Sequence, residues 1–367
     1  MNTKALLALS MVPGVGSQRL RALLDHFEDP SDVFTASQSV LKSIPSIDSR
    51  TALAITQYSP DNNGIETILR KLDRLQGKVI SIKDPEYPSS LKQIYDPPGF
   101  LYMLGTIEQA DHDSIAIVGT RNPTEYGKKV TEVLCTGLVQ SGFTIVSGMA
   151  RGIDTVAHST TVQCGGRTLA VIGCGVDIVY PQDNIRLSQQ IKQSGAILSE
   201  YHIGVKPEAG NFPKRNRIIS GMTLGTVIVE SSTSGGAMIT ASYALDQNRE
   251  IFAVPGPVTE KRSSGTNNLI QQGRAKLVQS VEDIIEEVIR KLKYITPATA
   301  VKQPPQTPPD LTIFEEKIYE VLAGQSLHID EIARLSDLST SDTLVHLLSL
   351  EFKGVVKQLA GKMFTRA

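Results

Sequence analysis

The sequence contains no tryptophan, three cysteines and only 5% aromatic residues. Cys135, Cys164 and Cys174 are odd in number, and their spacing fits neither a disulfide framework nor a zinc site. Small, buried, apolar roles in a reducing cytoplasm account for all three. An excess of one charge is missing too. Lys and Arg number 37 and Asp and Glu 38, a net charge of −1. This excludes a globally basic, DNA-coating protein and leaves room only for a local cluster of cations. No apolar run approaches the ~20 residues that span a bilayer. The stretch 1–9 lacks the charged start and small-residue cleavage site of a secretory signal, so a cytoplasmic protein without membrane association is expected. Neither H-E-x-x-H, paired His spacing, nor G-x-x-x-x-G-K-[ST] occurs, so neither a metal cofactor nor ATP hydrolysis is expected.

What remains is ordinary globular composition, 40% hydrophobic and 20% charged over 367 residues. At roughly 150 residues per domain, that length predicts two to three domains. The clearest boundary is the stretch 297–309, PATAVKQPPQTPP, with five prolines and no apolar periodicity. It reads as a semi-rigid linker. A softer break, YSPDNNG, lies near residue 60. The expected division is therefore a helical unit 1–75, a central unit 76–295, a Pro-rich linker 296–310 and a C-terminal unit 311–367. The first carries 8 basic and 8 acidic residues, the second 22 and 21, the last 6 and 8. Any nucleic-acid site must be built from a few placed cations.

The central unit alternates between two patterns. Short β-branched runs occur at 114–118, 144–147, 168–172, 196–199, 226–230 and 250–254, with amphipathic stretches such as 127–140 and 183–194 between them. This order predicts a doubly wound, mainly parallel sheet with helices on both faces. Near-continuous apolar strands such as IAIV and TVIVE suit burial on both sides.

The strands end in glycine-rich turns: Gly119-Thr120-Arg121-Asn122-Pro123-Thr124, Ser147-Gly148-Met149-Ala150-Arg151-Gly152, Gly173-Cys174-Gly175, and SSTSGGA at 231–237. In a doubly wound sheet such loops gather beyond the carboxyl ends of the strands, where ligands bind. Glycine lets backbone approach a ligand, and helix N-termini offer N–H groups to anions. Four such loops, two of them carrying arginine, predict a phosphate-binding edge. A second cluster, Asn211-Phe212-Pro213-Lys214-Arg215-Asn216-Arg217, places three cations in four residues beside an aromatic ring. Cations for a phosphate backbone and a ring for base stacking are what single-stranded nucleic acid requires.

The ordered motifs GTRNPTEYG, SGMARGIDTVAH, VIGCGVDIVYP, NFPKRNRIISG and SGGAMITASYAL followed by FAVPG resemble the DNA-processing protein A family, DprA or Smf. The resemblance covers essentially the whole central unit. It implies an extended Rossmann-like domain that binds single-stranded DNA and loads the RecA recombinase onto incoming strands during natural transformation. It also implies a homodimer through the later part of that domain. Gly119, Thr120 and Arg121 correspond to the family's Gly-Ser-Arg motif, with Thr120 keeping the hydroxyl. Ser147, Gly148, Arg151 and Gly152 match the second motif, and Gly173 and Gly175 the third. Phe212, Lys214, Arg215, Asn216 and Arg217 match the basic-aromatic one. Phosphates are expected along Arg121, Arg151, Lys214, Arg215 and Arg217, with Phe212 stacking on a base.

The flanking units carry weaker signals. Val12-Pro13-Gly14-Val15-Gly16 before a helix is the helix-hairpin-helix pattern, in which Gly14 and Gly16 can hold a DNA phosphate without reading sequence. Ile44-Pro45-Ser46-Ile47-Asp48 echoes it without the glycines. The C-terminal unit reads as helices near 314–322, 329–334 and 339–350 followed by a hairpin, the order of a winged helix. Its expected recognition helix has no Lys or Arg, which favours protein contact or an architectural role over base reading.

An alternative on the same fold is a nucleotide-handling enzyme of the phosphoribohydrolase type. That family resembles this one in fold but uses Pro-Gly-Gly-x-Gly-Thr and a catalytic Glu. The comparable loop here, Ser234-Gly235-Gly236-Ala237, carries no carboxylate for acid–base work. A nicotinamide dehydrogenase is disfavoured because Gly119-Thr120-Arg121 has Arg where the fingerprint needs its second glycine. His158 reads as a helix-packing histidine, and no catalytic residue is expected.

Overall fold

Alternating apolar residues decide how the central unit layers. In strand 114–118, Ile115 and Ile117 face one side while Ala116 and Val118 face the other, and all four are buried. A strand buried on both faces needs a helical layer on each, and the fold supplies both. The structure, a computed structural model, describes residues 2–59, 62–295, 311–359 and 361–366. The linker expected at 296–310 lies outside the described residues.

Nine strands form the main sheet: β1 (Gly77–Ser81), β2 (Phe100–Gly105), β3 (Ser114–Val118), β4 (Thr144–Ser147), β5 (Thr168–Val171), β6 (Gly195–Ser199), β7 (Gly225–Ile228), β8 (Glu250–Ala253) and β9 (Lys276–Leu277). Their order is β1-β2-β6-β5-β4-β3-β7-β8-β9. The strands from β3 to β9 pair in parallel, while β2 pairs antiparallel with both β1 and β6. The order reverses between β3 and β7. This switch point leaves a crevice at the carboxyl ends of the strands.

On one face, the helices Glu125–Gln140, Ile153–Gln163 and Val281–Ile295 cover Ile115, Ile117, Ile145, Val227 and Phe252. On the other, Asn211–Gly221 and Gly236–Asp246 cover Ala116, Val118, Val146 and Ile228. The helices Thr3–Ser10, Ser17–His26, Pro30–Thr35, Gln38–Ser43, Ser49–Gln57 and Asn62–Arg74 share one core with Phe100, Tyr102 and Ile172 of the sheet unit. The core of the first 75 residues is thus continuous with one side of the sheet unit.

Strands β10 (Leu327–His328), β11 (Val356–Leu359) and β12 (Met363–Arg366) form a second, antiparallel sheet in the order β10-β12-β11. With the helices Ile313–Val321, Ile329–Ser336 and Thr340–Phe352, they make a winged helix around Ile318, Ile332, Leu347, Leu350 and Phe364. Thr312 and Glu315 cap the first of these helices reciprocally. The fold is thus α/β, a mostly parallel Rossmann-like sheet with a winged helix at its C-terminal side. No helix among the described residues is long and apolar enough to cross a membrane.

Candidate nucleic-acid interface

The loop after β3 is held open by the neighbouring strand end. Thr120 donates its N–H to the Glu230 carbonyl at 2.7 Å. The Thr124 N–H reaches the Glu230 carboxylate at 2.9 Å, and the Thr124 hydroxyl donates to the same carboxylate. The Thr124 oxygen in turn accepts from the Gly127 N–H and caps the helix Glu125–Gln140. With the loop fixed at both ends, the Arg121 side chain stands exposed at the crevice. Its guanidinium carbon lies 5.5 Å from the centre of the Phe212 ring, within cation–π range. Phe212 opens the helix Asn211–Gly221, and its other neighbour is the half-exposed ring of Tyr180, 5.7 Å away. Gly173 lies beneath: a Cβ there would come to 3.0 Å from the Phe212 ring.

Arg121, Tyr180 and Phe212 separate two cavities. One, of about 620 Å³, runs past Gly119, Thr120 and Asn216 to Ser231, Gly235 and Gly236. The other, of about 190 Å³, lies over Gly173, Cys174 and Arg151. Three helices begin at this edge on Gly152, Gly210 and Gly235, and none has a side-chain cap. Their first-turn N–H groups give the edge a positive potential without further side chains. Gly152 is needed for its backbone: φ is +82°, and a Cβ would collide with the Thr120 carbonyl oxygen.

The row of cations expected from the sequence does not form as a single row. Arg215 is 4% exposed. It donates to the Gly148 carbonyl at 2.7 Å and to the Val171 carbonyl, and its Nε reaches Asn216 at 3.2 Å. Burial lowers its pKa to about 10, with the Asp154 charge working the other way. Asp154, equally buried, accepts from the N–H groups of Gly148 and Ala150. Burial raises its carboxyl to about 6, opposed by Arg215. Arg215 is therefore an internal strut that fixes the loops after β4 and β5. Arg217 is also buried, bonded to Glu200 at 2.7 Å and to Asp96 at 3.3 Å. Although burial opposes it, the two carboxylates hold this guanidinium above its ordinary range.

Other expected contacts are spent internally as well. The Ser147 hydroxyl donates to the Ile117 carbonyl, and the Gly148 N–H is used by Asp154. Gly175 packs against the chain at 202–204 and donates to the Val205 carbonyl. Arg151 is exposed and shares Asp183 at 2.9 Å, a surface pair that a phosphate can replace at little cost. Lys214 is exposed and borders a third cavity of about 430 Å³, together with Gly16, Ser17 and Glu200.

At the N-terminal hairpin, Gly14 (φ +88°) and Ser46 (φ +68°) occupy matching turns, closed by Val15 N–H to Val12 O and Ile47 N–H to Ile44 O. Arg19 ties the two turns together, donating to the carbonyls of Gly14 and Ser46 and to Asp48. The echo seen in the sequence is thus a second hairpin, in which Asp48 replaces the second glycine and caps the helix Ser49–Gln57. Gly14 and Gly16 remain exposed.

Sequence reasoning missed Tyr180, whose only signal was an aromatic preceding Pro181 late in the loop after β5. It also missed the tying roles of Asp154 and Glu230: each lies in a quoted motif or strand, but its partners Gly148, Ala150 and Thr124 are chosen only by the fold. His158 is fully buried, its Nδ1 2.7 Å from the Thr168 hydroxyl, and burial lowers its pKa to about 3. Among the described residues no cluster of His, Cys, Asp and Glu could hold a metal ion.

Residues 78–289 match the family described as DNA recombination-mediator protein A. The chain belongs to that family. Residues 302–362 match the DprA winged helix domain. The Smf protein of Synechocystis sp. is 35% identical over 98% of this chain and 98% of its own length. The DNA processing protein DprA of Bacillus subtilis is 42% identical over 64% of this chain and 82% of its own. Two solved relatives share the fold. DprA from Streptococcus pneumoniae has a TM-score of 0.69 at 33% identity, over 78% of this chain and 98% of that one. DprA from Helicobacter pylori, solved for its single-stranded DNA binding mode, has a TM-score of 0.53 at 30% identity, over 59% and 97%.

Proposed function

We propose that this protein is a single-stranded DNA-binding recombination mediator that protects incoming strands and loads the RecA recombinase during natural transformation. The observation that carries this reading is the exposed Arg121 guanidinium over the Phe212 ring at the strand-end crevice. A cation for a phosphate beside a ring for a base suits an unpaired strand, because bases in a duplex cannot turn inward to stack. The single-stranded DNA binding mode of the H. pylori relative supports it. In this reading Gly119, Thr120, Gly152 and Gly173 shape the path, Arg121 and Arg151 hold phosphates, and Phe212 with Tyr180 stacks on bases. Lys214 extends the path toward Gly16.

The protein acts in the cytoplasm, without a cofactor and without turnover. Glu230 is the carboxylate next to the Ser231–Ala237 loop, but it is buried and bonded to Thr124, which counts against hydrolysis of a nucleotide there. A homodimer would form through the later part of the sheet domain. Val258, 93% exposed, and the edge strand β9 with exposed Leu277 support that surface. Fluorescence anisotropy of labelled oligo-dT against a matched duplex, with wild type and Arg121→Ala, tests the binding. Preference for the single strand that collapses in the variant is the expected result. Equal binding of both forms, indifferent to Arg121, overturns it. A RecA-loading assay on the same pair of proteins tests the mediator step.

A further inference from the structure

The winged helix rests on the sheet domain along one seam. Lys362 pairs with Asp246 at 3.0 Å, and the His328 ring lies 4.2 Å from that of Tyr95. The wing residue Gly361, at φ +78°, comes so near the Gln93 carbonyl that a Cβ would sit 2.6 Å from its oxygen. Yet the seam does not close. A cavity of about 570 Å³ remains between the two units.

The charges on its wall are unbalanced. Arg21, Lys92 and Arg249 from the body and Lys357 from the wing face it, against the single carboxylate of Glu331. Neither unit is basic overall, so this is a local concentration of cations. Arg249 is the most telling of them. Its Nη2 donates to the carbonyls of Ser90 and Gly221 at 2.8 and 3.1 Å, which fixes the guanidinium in place. Its Nε is buried and has no partner among the described residues. Burial lowers its pKa to about 10, so it stays charged at neutral pH. A guanidinium fixed in this way at the cavity wall is a preorganised donor that attracts an anion entering the cavity. The Tyr95 and His328 rings, tilted 35° to one another, add an aromatic wall beside the cations.

We infer that this seam is a second anion site, which binds a phosphate group and clamps the winged helix onto the sheet domain. Arginine and lysine converging from two units match the shape and charge of phosphate. No residue of the Arg121–Phe212 crevice lines this cavity, so the inference stands apart from the proposed strand-binding path. The phosphate belongs either to a free nucleotide or to a nucleic-acid backbone.

The test is calorimetric titration of the full chain carrying Arg121→Ala, which weakens the crevice site. The probes are sodium pyrophosphate, AMP and a dT oligonucleotide. The expected result is saturable binding of at least one probe, weakened at least about tenfold by Arg21→Glu with Lys357→Glu. Both side chains lie at the surface, and a thermal melt checks that the double variant folds. AMP binding that the oligonucleotide does not displace assigns the site to a nucleotide. Displacement by the oligonucleotide assigns it to a backbone phosphate. If no probe binds, or if the double variant binds them equally well, the inference is wrong.

Discussion

Arg121 and Arg215 belong to two matched motifs and line the same two cavities, yet one is exposed over the Phe212 ring and the other is buried against the Gly148 and Val171 carbonyls. The first is free to meet a phosphate. The second holds the loops that shape the crevice. This division of labour separates variants that affect binding from variants that affect folding.

Arg121→Ala and Phe212→Ala should each weaken oligo-dT binding by about 1–3 kcal/mol, the range for one stacked base or one desolvated cation contact. Tyr180→Ala should weaken it less, because that ring is half exposed and its partner ring remains. Anisotropy titrations read all three, and thermal melts should be unchanged. Undiminished affinity in Phe212→Ala would remove the stacking role.

Arg215→Met should behave differently. It leaves the buried Gly148 and Val171 carbonyls without their donor and removes the charge that favours the ionised Asp154 carboxylate, at a cost of about 1–3 kcal/mol in stability. Urea unfolding of the variant should show the loss directly. A variant as stable as the wild type that nonetheless fails to bind DNA would make Arg215 a contact residue instead.

Gly152→Ala forces a side chain onto a backbone at φ +82° and against the Thr120 carbonyl. The loop after β3 must shift, and with it Arg121. Oligonucleotide affinity should fall at least as far as in Arg121→Ala, with a stability loss of about 1–3 kcal/mol. Matching anisotropy and unfolding curves would check both effects.

Salt dependence counts the exposed cations. With Arg121, Arg151 and Lys214 neutralising three phosphates, log affinity should fall by roughly 2 per tenfold rise in salt. Arg151→Ala should reduce that slope by about 0.7. A slope that is flat, or unmoved by the substitution, contradicts the assignment.

In the winged helix, Glu315 is almost fully buried and bonded to Lys353, Ser349 and Thr312. Burial alone would raise its pKa, but these donors hold the carboxyl at about 2, below its ordinary value of 4.5. The stability it contributes is complete above that ordinary value and is lost as pH falls through 4.5 toward 2. Glu315→Gln should therefore melt earlier than wild type at pH 7, with the difference shrinking below pH 4.5. A difference in melting that does not change with pH would argue against an ionised Glu315.

The sequence by itself determined the layer order. Strands such as Ile115–Val118 alternate large apolar residues on both faces, so they can be stable only between two helical layers, and the glycine-rich turns after them must gather at one edge. It also placed Arg121 and Phe212 in the candidate site, because both sit in local patterns that their own loops enforce. Strands β1 and β2 escaped notice. They pair antiparallel outside the alternating pattern, and that pairing is a long-range choice. Only tertiary structure decided which of the clustered cations are free. Lys214, Arg215 and Arg217 are near neighbours in sequence, but the turn of their helix sends Lys214 to solvent, Arg215 inward within the field of Asp154, and Arg217 onto Glu200 and Asp96. Those carboxylates lie far away along the chain. A charge's role depends on what its side chain meets after folding, and no local pattern records that.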